Sequence, residues 1–285
     1  MIYKSEEGHT MFRRIYDEAL DKLDLNPESR QVSTRFGETH VLVFGPEDAP
    51  PLVMLHGGNT VSAETHAWYI PLAKQYRVYA PDLIGHPGRS AQVQLSTKDL
   101  SYGYWASDDV RSLRLGPVPF MGTSYGGSIV LCTAAADPEV LSKAILVMSG
   151  SIAMASNLSM ASKVIWPYMS YRLFGGRKRL ERFLRRIMDE PSETNIDVMA
   201  AVFKYLKMND LIPLLTDEQI ACCDVPTLVF AAEHDIFFPG RKVLERVNRV
   251  FPQVVGAELL ANSRHYPSPE QKAFINRRIH EFLQE

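Results

Sequence analysis

Cysteine is scarce in this chain. Cys132 stands alone and Cys222 adjoins Cys223, a pattern with neither a disulfide framework nor a metal-ligand spacing. No uninterrupted apolar run is long enough to span a bilayer. The first residues lack the short apolar core and small-residue cleavage site of a secretory leader, so a cytoplasmic protein is expected. There is no internal repeat and no low-complexity tract. Excess charge is missing too: the net value of −2 gives no electrostatic case for a nucleic acid or membrane partner. One basic run, residues 177–186, reads as a solvated helix face.

What the chain does have is enough apolar side chain for a sizeable core, 46% against 22% charged, over 285 residues. Apolar spacing over 12–23 predicts a helix with Thr10 as N-cap, ended by Asn26-Pro27 and packed outside the main domain. Segments 31–36 and 39–44 flank Gly37-Glu38 as a hairpin. Strands are then expected at 52–55, 77–80, 118–121, 143–148, 227–232 and 254–260. Helices are expected at 63–75, 105–113, 127–136 and 269–283. Short apolar strands alternating with helices imply an α/β fold, its mostly parallel sheet covered on both faces. Segment 151–224, rich in methionine and aromatics, breaks the alternation and reads as an inserted helical cap. The expected organisation is an N-terminal helix over 1–30, a core over 31–150 and 225–285, and the cap between the two core parts.

The chemistry centres on Gly122-Thr-Ser-Tyr-Gly126, between the strand at 118–121 and a small-residue helix. A serine on a sharp strand-to-helix turn carries its Oγ above the sheet, with flanking glycines admitting neighbouring backbone. A serine hydroxyl is a weak nucleophile until a base takes its proton, an acid orients that base, and donors hold the oxyanion. In α/β hydrolases the chain order is Ser, then Asp or Glu, then His. His265, in the loop after 254–260, fits as the base, whereas His280 falls off the apolar face of the last helix. Asp235, beyond the strand at 227–232, is preferred as the acid, with Glu233 in reserve. The oxyanion donors are assigned to the backbone N–H groups of Tyr125, after the serine, and Gly58, in His56-Gly-Gly-Asn59. Asn59, Trp166 and Phe237 are candidate substrate-binding residues. No metal or other cofactor is expected.

These features together resemble the α/β-hydrolase superfamily with a helical lid, over roughly residues 31–285. Asp82-Leu-Ile-Gly-His-Pro-Gly-Arg-Ser90 looks like the loop after that superfamily's fourth strand, with Asp82 bracing the turn and His86 a loop contact. Within it, Ser33-Thr-Arg-Phe-Gly37, Thr39-His-Val41 and Gly45-Pro-Glu-Asp-Ala-Pro-Pro-Leu-Val53 look like bacterial carboxylesterases of the naproxen-esterase type. The resemblance implies a serine hydrolase acting on a small-molecule carboxylic ester. Another reaction of the same triad, on a C–C, lactone or amide bond or by perhydrolysis, and a non-catalytic ligand-binding protein are the alternatives. The cap's aromatics and methionines fit an apolar pocket and the cap's own core equally well.

Overall fold

A computed structural model describes residues 2–23, 25–207 and 212–285. Eight strands form one sheet in the order β1-β2-β4-β3-β5-β6-β7-β8. They are β1 (Glu28–Thr34), β2 (Gly37–Phe44), β3 (Pro51–Leu55), β4 (Arg77–Pro81), β5 (Val118–Thr123), β6 (Leu141–Val147), β7 (Thr227–Ala232) and β8 (Val254–Leu260). β2 runs antiparallel to both its neighbours, β1 and β4; from β4 through β3 to β8 the pairing is parallel. Alternation along the strands feeds two cores. Leu52 and Met54 point to the side holding α1 (Glu6–Asp21) and α12 (Pro269–Gln284). Val53 and Leu55 point to the side holding α4 (Ser101–Ser112), α5 (Tyr125–Ala136) and α11 (Gly240–Val250). With both faces covered, functional groups collect at the carboxyl ends of the parallel strands.

Several elements differ from their sequence reading, each for a local reason. Helix α1 begins at Glu6, because Ser5 caps it by accepting the Gly8 N–H at 3.2 Å. Gly8, in the first turn, sits where a Cβ would lie 2.7 Å from that of Tyr205, so α1 packs against the cap as well as the core. The hairpin turn is Arg35-Phe36 rather than Gly37-Glu38, with Thr34 opposite Gly37. Asp108 fixes it with a two-pronged ion pair to Arg35 at 2.8 Å. The helix expected over 63–75 is broken into α2 (Ser62–His66) and α3 (Ile70–Ala73), since Pro71 has no N–H to offer the Ala67 carbonyl and fits only the first turn of a new helix. Helix α11 had no counterpart in the sequence reading.

Between β6 and β7 the described residues form helices: α6 (Asn157–Met160), a π-helical turn (Ala161–Ile165), α7 (Trp166–Phe174), α8 (Arg177–Leu184), α9 (Glu193–Tyr205) and α10 (Asp217–Ala221). The π turn has an identifiable origin. Pro167 has no N–H to offer the Lys163 carbonyl, and the Arg186 guanidinium donates instead to the Ser162 and Lys163 carbonyls at 3.2 Å each.

One buried group offers a stability test. Asp109 on α4 is buried, and neither carboxyl oxygen has a close hydrogen-bond partner among the described residues. Burial raises its pKa well above the ordinary carboxylate value, opposed only in part by the Thr39 hydroxyl. The folded state therefore keeps a proton that the unfolded chain gives up. Stability is full below the ordinary carboxyl pKa and is lost as pH rises towards the raised one. Asp109→Asn, which imitates the protonated acid, is expected to raise Tm at pH 8 by roughly 2–4 °C per kcal/mol recovered. The gain should vanish near pH 4 in thermal melts; an equal gain at both pH values would contradict the argument.

Candidate active site

Ser124 follows β5 and precedes α5 with φ 53° and ψ −111°, left-handed backbone that a side-chain-bearing residue adopts only when its surroundings hold it there. Its N–H donates to the Val147 carbonyl at 2.9 Å, and its own carbonyl accepts from Gly127 at 3.1 Å and Gly150 at 3.0 Å. Glycine is required on both sides. A Cβ on Gly122 would strike the Gly126 backbone, and one on Gly126 would strike the Leu55 and His56 carbonyls. The turn is thus wedged against the end of β3, and Ser124 Oγ is left facing the loops beyond the sheet.

Those loops bring two further side chains to it. His265 Nε2 lies 3.1 Å from Ser124 Oγ, and its Nδ1 lies 2.7 Å from Asp235 Oδ2. The other Asp235 oxygen accepts the Phe237 and Phe238 N–H groups at 2.8 and 3.2 Å, so the carboxylate is buried yet fully engaged. An acceptor at Nδ1 assigns the imidazole proton there and leaves the Nε2 lone pair towards the serine. Phe237 and Phe238 fix the ring from the side, with centroids 5.0 and 5.6 Å away. Glu233 is turned elsewhere. It accepts from Arg241 at 2.6 Å and from the Asn262 N–H at 3.1 Å, and these two contacts lower its pKa. The histidine loop is also tied to the cap: the Tyr266 N–H donates to the Ile187 carbonyl at 2.7 Å, and Arg264 pairs with Asp189 at 2.8 Å.

Gly58 packs directly on Tyr125, so the two backbone segments named as oxyanion donors adjoin each other and Ser124. His56 holds that loop. Its Nε2 accepts the Leu83 N–H at 2.9 Å, which leaves Nδ1 to donate to the Gly57 carbonyl at 2.7 Å. His86 stands behind it, 4.5 Å from the Tyr125 ring, with its Nδ1 accepting the Asn59 N–H at 3.4 Å. Burial pushes the pKa of His86 and of nearby His66 down to about 3, so both are neutral at physiological pH, and it lowers that of His56 as well. Asp82 braces the β4 loop by accepting from His40, Tyr16, Ser62 and the Arg89 N–H.

Above Ser124 opens a cavity of about 1250 Å³, lined by the cap, the strand-end loops and α1. Asn59 and Phe237 lie on its wall. Trp166 does not: it is 66% exposed on the outer side of α7, a correction to its reading as a pocket residue. Its helix turns the neighbouring Met160, Val164 and Tyr168 inward instead. They serve as both wall and cap core: Tyr168 lines the cavity and also packs on buried Phe203, their ring centroids 4.8 Å apart, while Met154 lines the wall as well. Two wall elements had no sequence signal. Ile15 and Ala19 of α1 line the cavity, so that helix is more than an outer support. Glu64 on α2 places a carboxyl there, accepting from the Thr60 hydroxyl at 2.6 Å, its pKa raised by burial. Among the described residues, no group of three His, Cys, Asp or Glu side chains is placed to hold a metal ion, and no helix is long and apolar enough to cross a membrane.

Comparison with known proteins agrees with this architecture. Residues 50–175 match a family model described as alpha/beta hydrolase fold. Carboxylesterase YbfK of Bacillus subtilis is 27% identical, the alignment covering 99% of this chain and 97% of that protein. A second Bacillus subtilis protein, the uncharacterized carboxylesterase nap, is also 27% identical over 95% and 92% of the two chains. The crystal structure of naproxen esterase (carboxylesterase NP) from Bacillus subtilis superposes with a TM-score of 0.83 at 24% identity, covering 98% of this chain and 99% of that one. Carboxylesterase CesB (YbfK) from the same organism superposes at 0.80 with 26% identity, covering 97% and 98%. The chain has the α/β-hydrolase fold with an inserted helical cap.

Proposed function

We propose that this chain, a carboxylic ester hydrolase resembling bacterial carboxylesterases, cleaves its substrate through an acyl-enzyme on Ser124. The observation that carries the reading is one imidazole, His265, bridging Asp235 at 2.7 Å and Ser124 Oγ at 3.1 Å. Ser124 attacks the ester carbonyl as His265 Nε2 takes its proton, while Asp235 holds the tautomer and stabilises the imidazolium. The tetrahedral oxyanion is placed against the Gly58 and Tyr125 N–H groups, at the amino end of α5, where the helix dipole favours negative charge. Loss of one such donor typically costs about 3–4 kcal/mol of transition-state stabilisation. Collapse returns the proton to the leaving alcohol. Water, activated by the same imidazole, then releases the acid.

In this reading residues 151–224 act as the cap over a core of 31–150 and 225–285, with 1–30 completing the pocket wall. The methionine-rich cavity suits a medium-sized, largely apolar acyl or alcohol group. Free Cys132, Cys222 and Cys223 suit a reducing, cytoplasmic setting. A fluorophosphonate probe tests the proposal: one covalent adduct is expected on Ser124 by peptide mass mapping, with turnover of p-nitrophenyl esters highest for apolar acyl groups of medium length. Folded protein that takes up no probe would instead favour a ligand-binding role.

A further inference from the structure

The roof of the cavity has an outer side that its enclosing role leaves unexplained. Helical residues 157–174 include none that is buried. One flank, with Met160, Val164 and Tyr168, faces the cavity. The other is also apolar: Leu158, Trp166, Leu173 and Phe174 are 81, 66, 68 and 67% exposed. Of the ten large apolar side chains exposed among the described residues, six lie between Leu158 and Phe174; Ile165 and Met169 of these line the cavity, and the other four form the outer flank. Scattered exposed hydrophobics are ordinary, but a cluster of this kind marks a contact surface.

The charge around the cluster says what it contacts. Residues 157–186 carry eight Lys and Arg against one carboxylate, Glu181, in a chain whose net charge is −2. Glu193 and Asp197 neutralise Arg177, and Glu181 pairs with Arg185. Lys163, Lys178 and Arg182 are exposed with no ion pair among the described residues. Arg179 stands 5.4 Å over the Phe174 ring, which puts a guanidinium beside the apolar cluster itself. The chain-wide balance, which argued against a membrane partner, conceals this local asymmetry. A second copy of the chain across a two-fold axis would set the same basic rim against itself. Tryptophan, phenylalanine and leucine bordered by Lys and Arg are the composition of a helix lying in an anionic lipid interface.

We infer that the outer flank of residues 157–174 docks on anionic lipid surfaces, bringing the roof of the ester-binding cavity against the bilayer. This contact uses no residue of the Ser124 site, so its success or failure is independent of the catalytic reading.

The test is sedimentation of the full-length protein with vesicles of phosphatidylcholine, with and without roughly one-third phosphatidylglycerol. Binding to the anionic vesicles is expected to be about tenfold stronger than to the neutral ones, and to weaken in high salt. Trp166 is by far the most exposed of the three tryptophans, so its emission should shift to shorter wavelength on binding. The Leu173→Asp/Phe174→Asp variant should lose vesicle binding while hydrolysing a soluble short ester at the wild-type rate, which also reports its folding. Lys178→Glu/Arg182→Glu should reduce the preference for anionic lipid and leave weak neutral binding. Wild-type protein that stays in the supernatant with both vesicles would overturn the inference. So would a dimer in sedimentation equilibrium that Leu173→Asp/Phe174→Asp converts to monomer.

Discussion

Ser124→Ala is expected to lower kcat for a soluble p-nitrophenyl ester by about 10^4- to 10^6-fold, with KM little changed. In the proposed mechanism the hydroxyl is the only atom whose removal abolishes the covalent step. The cavity and the Gly58 and Tyr125 backbone remain, so the variant should still bind substrate and keep a slow residual rate. Alanine fits the elbow without new contacts, although it must hold the same left-handed backbone as Ser124. Circular dichroism and thermal melting should therefore match the wild type. Initial rates on the purified variant decide the matter. A loss of less than about tenfold would place the chemistry elsewhere.

The second large effect separates two carboxylates with a single residue, His234, between them. Asp235→Asn should reduce kcat by about 10^3- to 10^4-fold, whereas Glu233→Gln should change it by less than about threefold. The asymmetry follows from what each group touches. Asp235 Oδ1 accepts two backbone N–H groups, so an asparagine would keep its carbonyl oxygen there and turn its NH2 towards His265. The imidazole could then face the amide only by carrying its proton on Nε2, the tautomer that cannot accept a proton from Ser124. Glu233 makes no contact with His265; it joins Arg241 to the Asn262 N–H. Comparable losses in the two variants, measured as kcat on the same ester, would show that the carboxylate orienting His265 had been misassigned.

The parts of this site that were legible from sequence are those whose chemistry is local. A serine between glycines at a strand end, a His-Gly-Gly at the end of the neighbouring strand, and an Asp and a His beyond the last two strands each carry their own signal. The ordering rule then relates them. What was not legible depends on contacts between distant segments. The close approach of Tyr205 to Gly8 suits a glycine in the first turn of α1, and the Ser5 cap starts that helix at Glu6. Composition makes Trp166 a candidate pocket residue, since the cap's aromatics and methionines fit a pocket and a cap core alike. Pro167 and the π turn at Ala161–Ile165 set the helix phase otherwise, and the ring points outward. Glu64 sits on a five-residue helix without a motif, so nothing in its neighbours announces a carboxyl in a cavity wall. Pro71 is a visible signal for the break between α2 and α3, against which the apolar spacing runs on through 63–75.

The hydrogen bond from Tyr266 N–H to the Ile187 carbonyl has a bearing on how such a protein can diversify. An inserted cap invites treatment as an interchangeable module, to be exchanged among relatives when a new substrate is wanted. Here the residue adjoining His265 draws its acceptor from the cap, and Arg264 on its other side draws an ion-pair partner, Asp189, from the same segment. A foreign cap would strand a backbone N–H and slacken the imidazole at once. Under the proposed mechanism, selection for new specificity therefore acts on turnover in the same step. Grafts that keep the backbone path around residues 187–189 have the better starting point.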